Sequence, residues 1–233
     1  MSRRDAGRVV WLDVPFDDKD DAKAAGARWD GTERRWYVTA PTQAVARWMP
    51  LPDLLPGEDR SFGSGLFVDL VPKSCWFTNF RSCVSSRDWD RLRRMVYRRA
   101  GDRCESCAAA ADPSSGVRLE AHERWAYDEY TSVQRLVRLV CLCSACHSAT
   151  HYGLAQLRGR GAEALAHLMR VNSWNVATAE AHVNQAMEVW RGRSAHHWTL
   201  DLSMLTGAGV TPRTPPSAED RAAHAERSTP REE

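Results

Sequence analysis

The sequence predicts an α+β protein in two parts: a small N-terminal αβ domain over residues 7–49 and, after a linker over 50–65, a larger domain over 66–206 with flanking helices. Three observations lead there. Short β-rich runs, Val9 to Val14 and Arg35 to Val38, bracket a short helical pattern near the N-terminus. Two Cys-x-x-Cys pairs, Cys104 with Cys107 and Cys143 with Cys146, stand in the middle of the chain. Amphipathic helical patterns follow over 160–192. From 207 to 233 no apolar period survives, and the composition of Ala, Pro, Thr, Ser, Arg and Glu predicts a disordered tail.

In the first part, Pro15 stops the opening strand, and Asp20 to Gly26 reads as a helix with acids at its positive end and glycine past its last turn. Asp30-Gly31 marks a turn into the returning strand. Trp11, Trp29, Trp36 and Tyr37 read first as the core of a domain too small to be stable without large side chains. The alternative is that, with Arg28, Arg34 and Arg35, they form a base-stacking, phosphate-binding surface. Three prolines, three glycines and several acids mark the linker.

The second part is expected to open with a strand, Leu66 to Val71, closed by Pro72. Ser85-x-x-Asp88 offers a capping pattern for a helix from Trp89 to Arg99, whose Trp89, Leu92 and Val96 recur at helical spacing. The opposite face is arginine-rich. Eight arginines between 81 and 103 oppose Asp88, Asp90 and Asp102, a local balance of eight minus three, or +5, in a chain whose net charge is only +2. Arg93, Arg94 and Arg98 are therefore candidate phosphate contacts, with a solvated helix face as the alternative. Leu165, Leu168 and Met169 mark one later helix. Val183, Ala186, Met187 and Trp190 mark another, with Thr178 expected as its N-cap and Gly192 as its stop. Trp198 to Leu202 is expected as a strand paired with 68–70.

The two-residue cysteine spacing lets both sulfurs of a pair reach one ion in a tetrahedron, so Cys104, Cys107, Cys143 and Cys146 read as the ligands of a structural zinc (Zn2+) and the larger domain as zinc-stabilised. Histidines remain over. His122 lies between the pairs, and His147 and His151, four apart, share one face of a helix. No run of roughly 18 apolar residues is present to span a membrane, and the N-terminus lacks a signal peptide's apolar core, so a cytoplasmic protein with no membrane partner is expected. In that reducing compartment Cys75, Cys83 and Cys141 read as free thiols. A redox role for the Cys-x-x-Cys pairs is the weaker reading.

Two resemblances sharpen this. Leu12-Asp-Val-Pro-Phe16, Gly26-Ala-Arg-Trp-Asp30 and Arg34-Arg-Trp-Tyr-Val38 resemble a small uncharacterised domain, DUF5710, found attached to primase-like and other DNA-processing proteins of plasmids and phages. Gly101-Asp-Arg-Cys-Glu-Ser-Cys107, His122 and Leu142-Cys-Ser-Ala-Cys-His147 resemble the HNH nucleases over about residues 100–153. A wider set of matches to bacterial and phage proteins of that kind runs from Val71 to Gly153. The resemblance implies a ββα-metal core, a β-hairpin followed by a helix that grips one divalent ion, with the zinc as a structural addition. It assigns His122 to the general base, and His147 with His151 to a catalytic ion, Mg2+, Mn2+ or Ni2+. The chain departs from the pattern twice. Ala121 stands where an acidic ligand usually precedes the base, and Glu120 and Glu123 are both expected on the face opposite His122. Arg138 stands at the middle asparagine's position, with Gln134 as its substitute. The expected function is a metal-dependent DNA endonuclease, and the alternative is a non-catalytic zinc module that binds nucleic acid or protein.

Overall fold

The computed structural model of the chain describes residues 9–76 and 80–228, and it divides into two compact units that meet in sequence at Pro52 and Asp53. Residues 7–8 of the expected N-terminal domain, Asn79 before the arginine-rich helix, and 229–233 of the expected tail lie outside the described residues.

The first unit is a three-stranded antiparallel sheet with one helix: β1 (Val10–Leu12), α1 (Lys19–Ala24), β2 (Arg28–Asp30) and β3 (Arg35–Val38), in the order β1-β3-β2. Acids Asp20 and Asp21 sit in the first turn of α1, and Gly26 past its end takes a φ of 92° that a side chain would resist. The Asp30 side chain then accepts from the backbone N–H groups of Thr32 and Glu33, holding the turn between β2 and β3. Leu12, Ala22, Ala27, Val38, Val45 and Trp48 form the core, and the Trp48 indole N–H donates to Asp18 at 2.7 Å.

The second unit begins inside the stretch read as a linker. Residues 53–65 are fastened to it by a buried ion pair, because Glu58 meets Arg99 at the end of α3 (Ser86–Arg99) through two bonds of 2.7 Å, with both side chains essentially inaccessible. Glu58 also accepts from the backbone N–H of Leu139 and of Leu55. The prolines and glycines marked the irregular path correctly but not its anchoring, which comes from polar contacts with distant residues, among them Arg98 to Asp53, Arg138 to the Phe62 carbonyl and Ser106 to the Gly65 carbonyl. Helix α2 (Phe80–Cys83) precedes α3, and α3 starts as its capping pattern requires, with the Ser85 hydroxyl accepting from the Asp88 N–H at 3.0 Å.

The hairpin of β4 (Leu119–Asp128) and β5 (Val133–Cys143) is the long element of this unit, followed at once by α4 (Ser144–Thr150) and then α5 (Tyr152–Leu157). Helices α6 (Gly161–Asn172) and α7 (Val176–Ser194) pack beyond them, Leu168 and Val183 entering the same core as Val140, Leu142 and Ala149. A third strand, β6 (Thr199–Asp201), joins β5 in parallel, and α8 (Ser203–Gly207) follows.

Several expectations are corrected. Residues 66–71 form no strand: their polar backbone is spent on other partners, Val68 N–H on the His182 ring at 3.0 Å and Asp69 N–H on the Thr150 carbonyl at 3.0 Å. β6 therefore pairs with β5 and not with them. The cap of α7 is Asn175, whose side chain accepts from the Thr178 N–H, and the helix runs past Gly192 to Ser194. Within the expected tail, α9 (Ala218–Ser228) docks on the turn Lys73–Cys75. What it buries is Ala222, Ala225 and the stem of Arg221, whose guanidinium reaches the Trp198 carbonyl at 2.8 Å and the Gln134 side-chain oxygen at 2.9 Å. Two alanines and an arginine give no apolar period to read.

Removing one side of the Glu58–Arg99 pair strands a buried charge, so Glu58→Ala is expected to destabilise the second unit by about 3–5 kcal/mol, read from urea unfolding. A loss under about 1 kcal/mol would place the pair at an exposed surface instead.

Candidate metal centres

Register and helix geometry together bring two ligand clusters to one end of the hairpin. Leu119 pairs with Cys143 and His122 with Val140, and β5 runs into α4 without an intervening loop, so Cys146 and His147 fall on its first turn and His151 one turn later. Successive residues on a helix point about 100° apart. Cys146 is thereby buried among the sulfurs while His147 faces the histidines.

Sulfur atoms of Cys104, Cys107, Cys143 and Cys146 lie within 4.8 Å of one another. The first pair sits in the loop after α3, where Cys104 and Ala109 bond through the backbone at 2.8 Å and Ala108 takes a φ of 60°. Glu105 pins that loop to β5. Its backbone N–H donates to the Cys141 carbonyl at 2.8 Å, its carboxylate accepts from the Cys141 N–H at 2.9 Å, and Arg138 grips the other oxygen at 2.6 Å. Four thiols this close cannot all ionise alone. Hydrogen bonds from Cys143 and Cys146 push Cys104 far below the usual thiol range, while the same contacts push Cys146 far up and burial lifts Cys107 to about 11. A soft divalent cation relieves that conflict by accepting every sulfur as thiolate, so the donor set fits a metal such as zinc.

His167 of α6 extends this cluster. Its Nε2 stands 3.1 Å from the Cys146 sulfur, and its Nδ1 is 2.7 Å from an Arg170 guanidinium nitrogen. Arginine only donates, so Nδ1 must accept, and a neutral His167 then carries its proton on Nε2, directed at the sulfur. Burial, then the charge of Arg170, lowers the His167 pKa and favours that neutral form.

The second cluster is His122, His147 and His151, with ligand atoms within 4.8 Å of one another and ring centroids 4.6 to 5.2 Å apart. His122 is 3% exposed, and neither of its ring nitrogens makes a hydrogen bond. Burial holds all three below the ordinary histidine pKa. His151, with the added charges of His147 and Arg124, falls to about 3, whereas the Glu120 carboxylate partly offsets the shift at His147. Three neutral imidazoles crowded together could hold a metal ion, in chemistry as well as in distance.

Both carboxylates expected to face away approach this cluster. Glu120 reaches to 3.3 Å from His147 Nδ1, and Glu123 to 3.9 Å from His122 Nδ1, with burial raising the Glu123 pKa to about 7. Glu120 lies two residues before His122, and period-two alternation puts it on the same face of β4. Beside them Arg124 is fully buried over the Phe67 ring at 4.2 Å and pairs with Asp69 at 3.6 Å, without a hydrogen bond to its guanidinium.

Other candidate positions lie elsewhere. Gln134 bonds to Tyr127 and Arg221 at the far end of the hairpin, and Arg138 serves Glu105 and the Phe62 carbonyl, so neither joins the histidines. Arg93 pairs with Asp90 at 2.7 Å, Arg94 reaches the same carboxylate at 4.0 Å, and Arg98 pairs with Asp53 at 2.9 Å. The count of +5 had left out Asp53 and Glu58, which arrive from outside the counted segment. Cys75, Cys83 and Cys141 are buried outside both clusters.

Residues 10–50 match DUF5710, a domain of unknown function. The chain is 52% identical over 41 residues to one DNA primase TraC of Escherichia coli, and 45% identical over 40 residues to another. These alignments cover 17% and 16% of this chain but only 4% and 3% of the primases. No solved structure matches the chain. Among the described residues no helix is long and apolar enough to cross a membrane.

Elemental analysis of the full chain is expected to find zinc, with Cys104→Ser lowering zinc content and thermal stability together. Folded, reduced protein without zinc would overturn the assignment. His167→Ala keeps all four sulfurs and should weaken zinc retention against a competing chelator by about 10- to 100-fold; unchanged retention would reduce His167 to a packing residue.

Proposed function

We propose that the chain is a metal-dependent nuclease of the HNH-like kind, cutting phosphodiester bonds in DNA, with the histidine cluster as its reactive centre and the cysteine cluster as its structural zinc. The observation that carries this reading is a buried His122, unbonded at both ring nitrogens, converging with His147 and His151. The hairpin followed directly by α4 supports it, being the element order that the resemblance implies. The DNA primases that the chain matches over a short segment support DNA as the substrate, and thiolate ligands fit a reducing cytoplasm.

His147 and His151 would hold a divalent ion, which in such a site supplies Lewis acidity to a phosphodiester and charge stabilisation to its leaving oxygen. Glu120, whose carboxylate stands 3.3 Å from His147 Nδ1, acts on that imidazole through its charge. Burial keeps the imidazoles neutral and ready to bind, and the fixed positive charge of Arg124 adds to that effect. The resemblance makes His122 a general base, yet its near-complete burial and short distance to both partners favour a third ligand. On that second assignment Glu123, the carboxylate beside it, is the group free to take a proton.

Cleavage of supercoiled plasmid and of oligonucleotides, with Mg2+, Mn2+, Ni2+ or Zn2+ supplied in turn, tests the function, and His147→Ala is expected to abolish it. Calorimetric titration of the ion separates the roles of His122. His122→Ala that still binds the ion but does not cut identifies the base, and loss of both identifies a ligand. Full-rate cleavage by His122→Ala would sink the proposed centre, and intact DNA binding without cleavage in any metal would favour the non-catalytic module.

A further inference from the structure

The N-terminal sheet packs only one of its faces. Val10, Leu12, Trp36 and Val38 turn toward Ala22, Val45 and Trp48, and strand alternation then commits Trp11 and Tyr37 to the other side. Trp11 pairs with Tyr37 across β1 and β3, and Tyr37 pairs in turn with Arg28 across β3 and β2. Arg35, two residues before Tyr37, places its guanidinium 5.4 Å from the Trp11 ring centre, and the two aromatic rings meet edge to face at 5.9 Å.

The helix on the core side carries Lys19 and Lys23 as well as acids. Asp20 and Asp21 belong to α1, which packs through Ala22 on the core side. The carboxylate that the register puts on the open side, Asp30 opposite Arg35, is held by the turn, accepting from Thr32 and Glu33 at 2.8 and 2.9 Å. The open face thus presents two aromatic rings and two guanidinium groups beside the turn-held Asp30 carboxylate, while Trp29, also outside the core and 52% exposed, meets Trp36 edge to face on the other side of the sheet.

We propose that this face binds single-stranded nucleic acid, with bases stacked on Trp11 and Tyr37 and phosphates neutralised by Arg28 and Arg35. Aromatic faces accept any unpaired base, and arginine adds both backbone charge and cation–π contact. A duplex hides its base faces in the stack, so the preference is for single strands. The face belongs to a different unit from the histidine cluster, and its binding is independent of any cleavage.

The test is fluorescence anisotropy of the full chain with labelled dT and rU oligonucleotides, without added divalent ion, at several salt concentrations. Trp11→Ala with Tyr37→Ala is expected to weaken binding by about 5- to 100-fold, given the usual cost of losing a stacked base. Arg28→Glu with Arg35→Glu should weaken it and flatten its salt dependence. Arg28→Glu alone, at an exposed position outside the core, serves if the aromatic variant fails to fold. Binding of either oligonucleotide supports the proposal, and the tighter one names the preferred sugar. Wild-type protein that ignores single strands, folded variants that bind as wild type does, or a duplex that competes as well as a single strand would each overturn it.

Discussion

The register of β4 on β5 is the constraint on which both clusters depend. Pairing Leu119 with Cys143 brings the loop ahead of β4 to the end of β5, where the second cysteine pair begins, and the same pairing puts His122 opposite Val140. A slip of one residue would turn His122 to the other face of the hairpin and separate it from α4. The irregularity between Arg124 and Trp125 falls beyond His122, so the ladder is regular where the ligands are and bends only after them.

Buried charge fastens that ladder from outside. Glu58 accepts from the Leu139 N–H and holds Arg99, and Glu105 accepts from the Cys141 N–H and holds Arg138, so two carboxylates grip alternate residues of β5 from two different loops. Such pairs contribute little net stability over an apolar equivalent, but breaking one is costly. Their effect here is positional: α3 and the first cysteine loop are each tied to a defined point on β5. Arg138 thus has a structural task that accounts for its place on the strand.

Much of this was legible in the sequence, and what was not has a physical cause. The cysteine spacing and the histidine pair four apart are local patterns, and local geometry alone brings each pair together. The Ser85 cap and the strands 10–12 and 35–38 were legible for the same reason. Glu120 was misplaced by a reading of the flanking residues that missed its two-residue step from His122, which strand alternation alone corrects. His167, Glu58 and Arg221 were not legible at all, because each acts across a long stretch of chain through a polar contact that leaves no periodicity. The tryptophans show an intermediate case: their number signalled importance, but only the register separated Trp36, packed on the core, from Trp11 on the opposite face, and it leaves Trp29 exposed.

The two clusters differ in charge as much as in geometry, and on the proposed reading this decides where chemistry occurs. Four thiolates around a divalent ion make a doubly negative, closed group that repels a phosphodiester and leaves no position for it. Three neutral imidazoles leave the charge of a bound ion undiminished by its own ligands, with Glu120 and Glu123 offsetting it from outside the set and Arg124, paired with Asp69, adding to it. Helix α4 separates these environments by a single residue step, Cys146 to His147. Two candidate metal sites of different chemistry are thereby lined from consecutive positions of one short helix, provided that the hairpin holds its register.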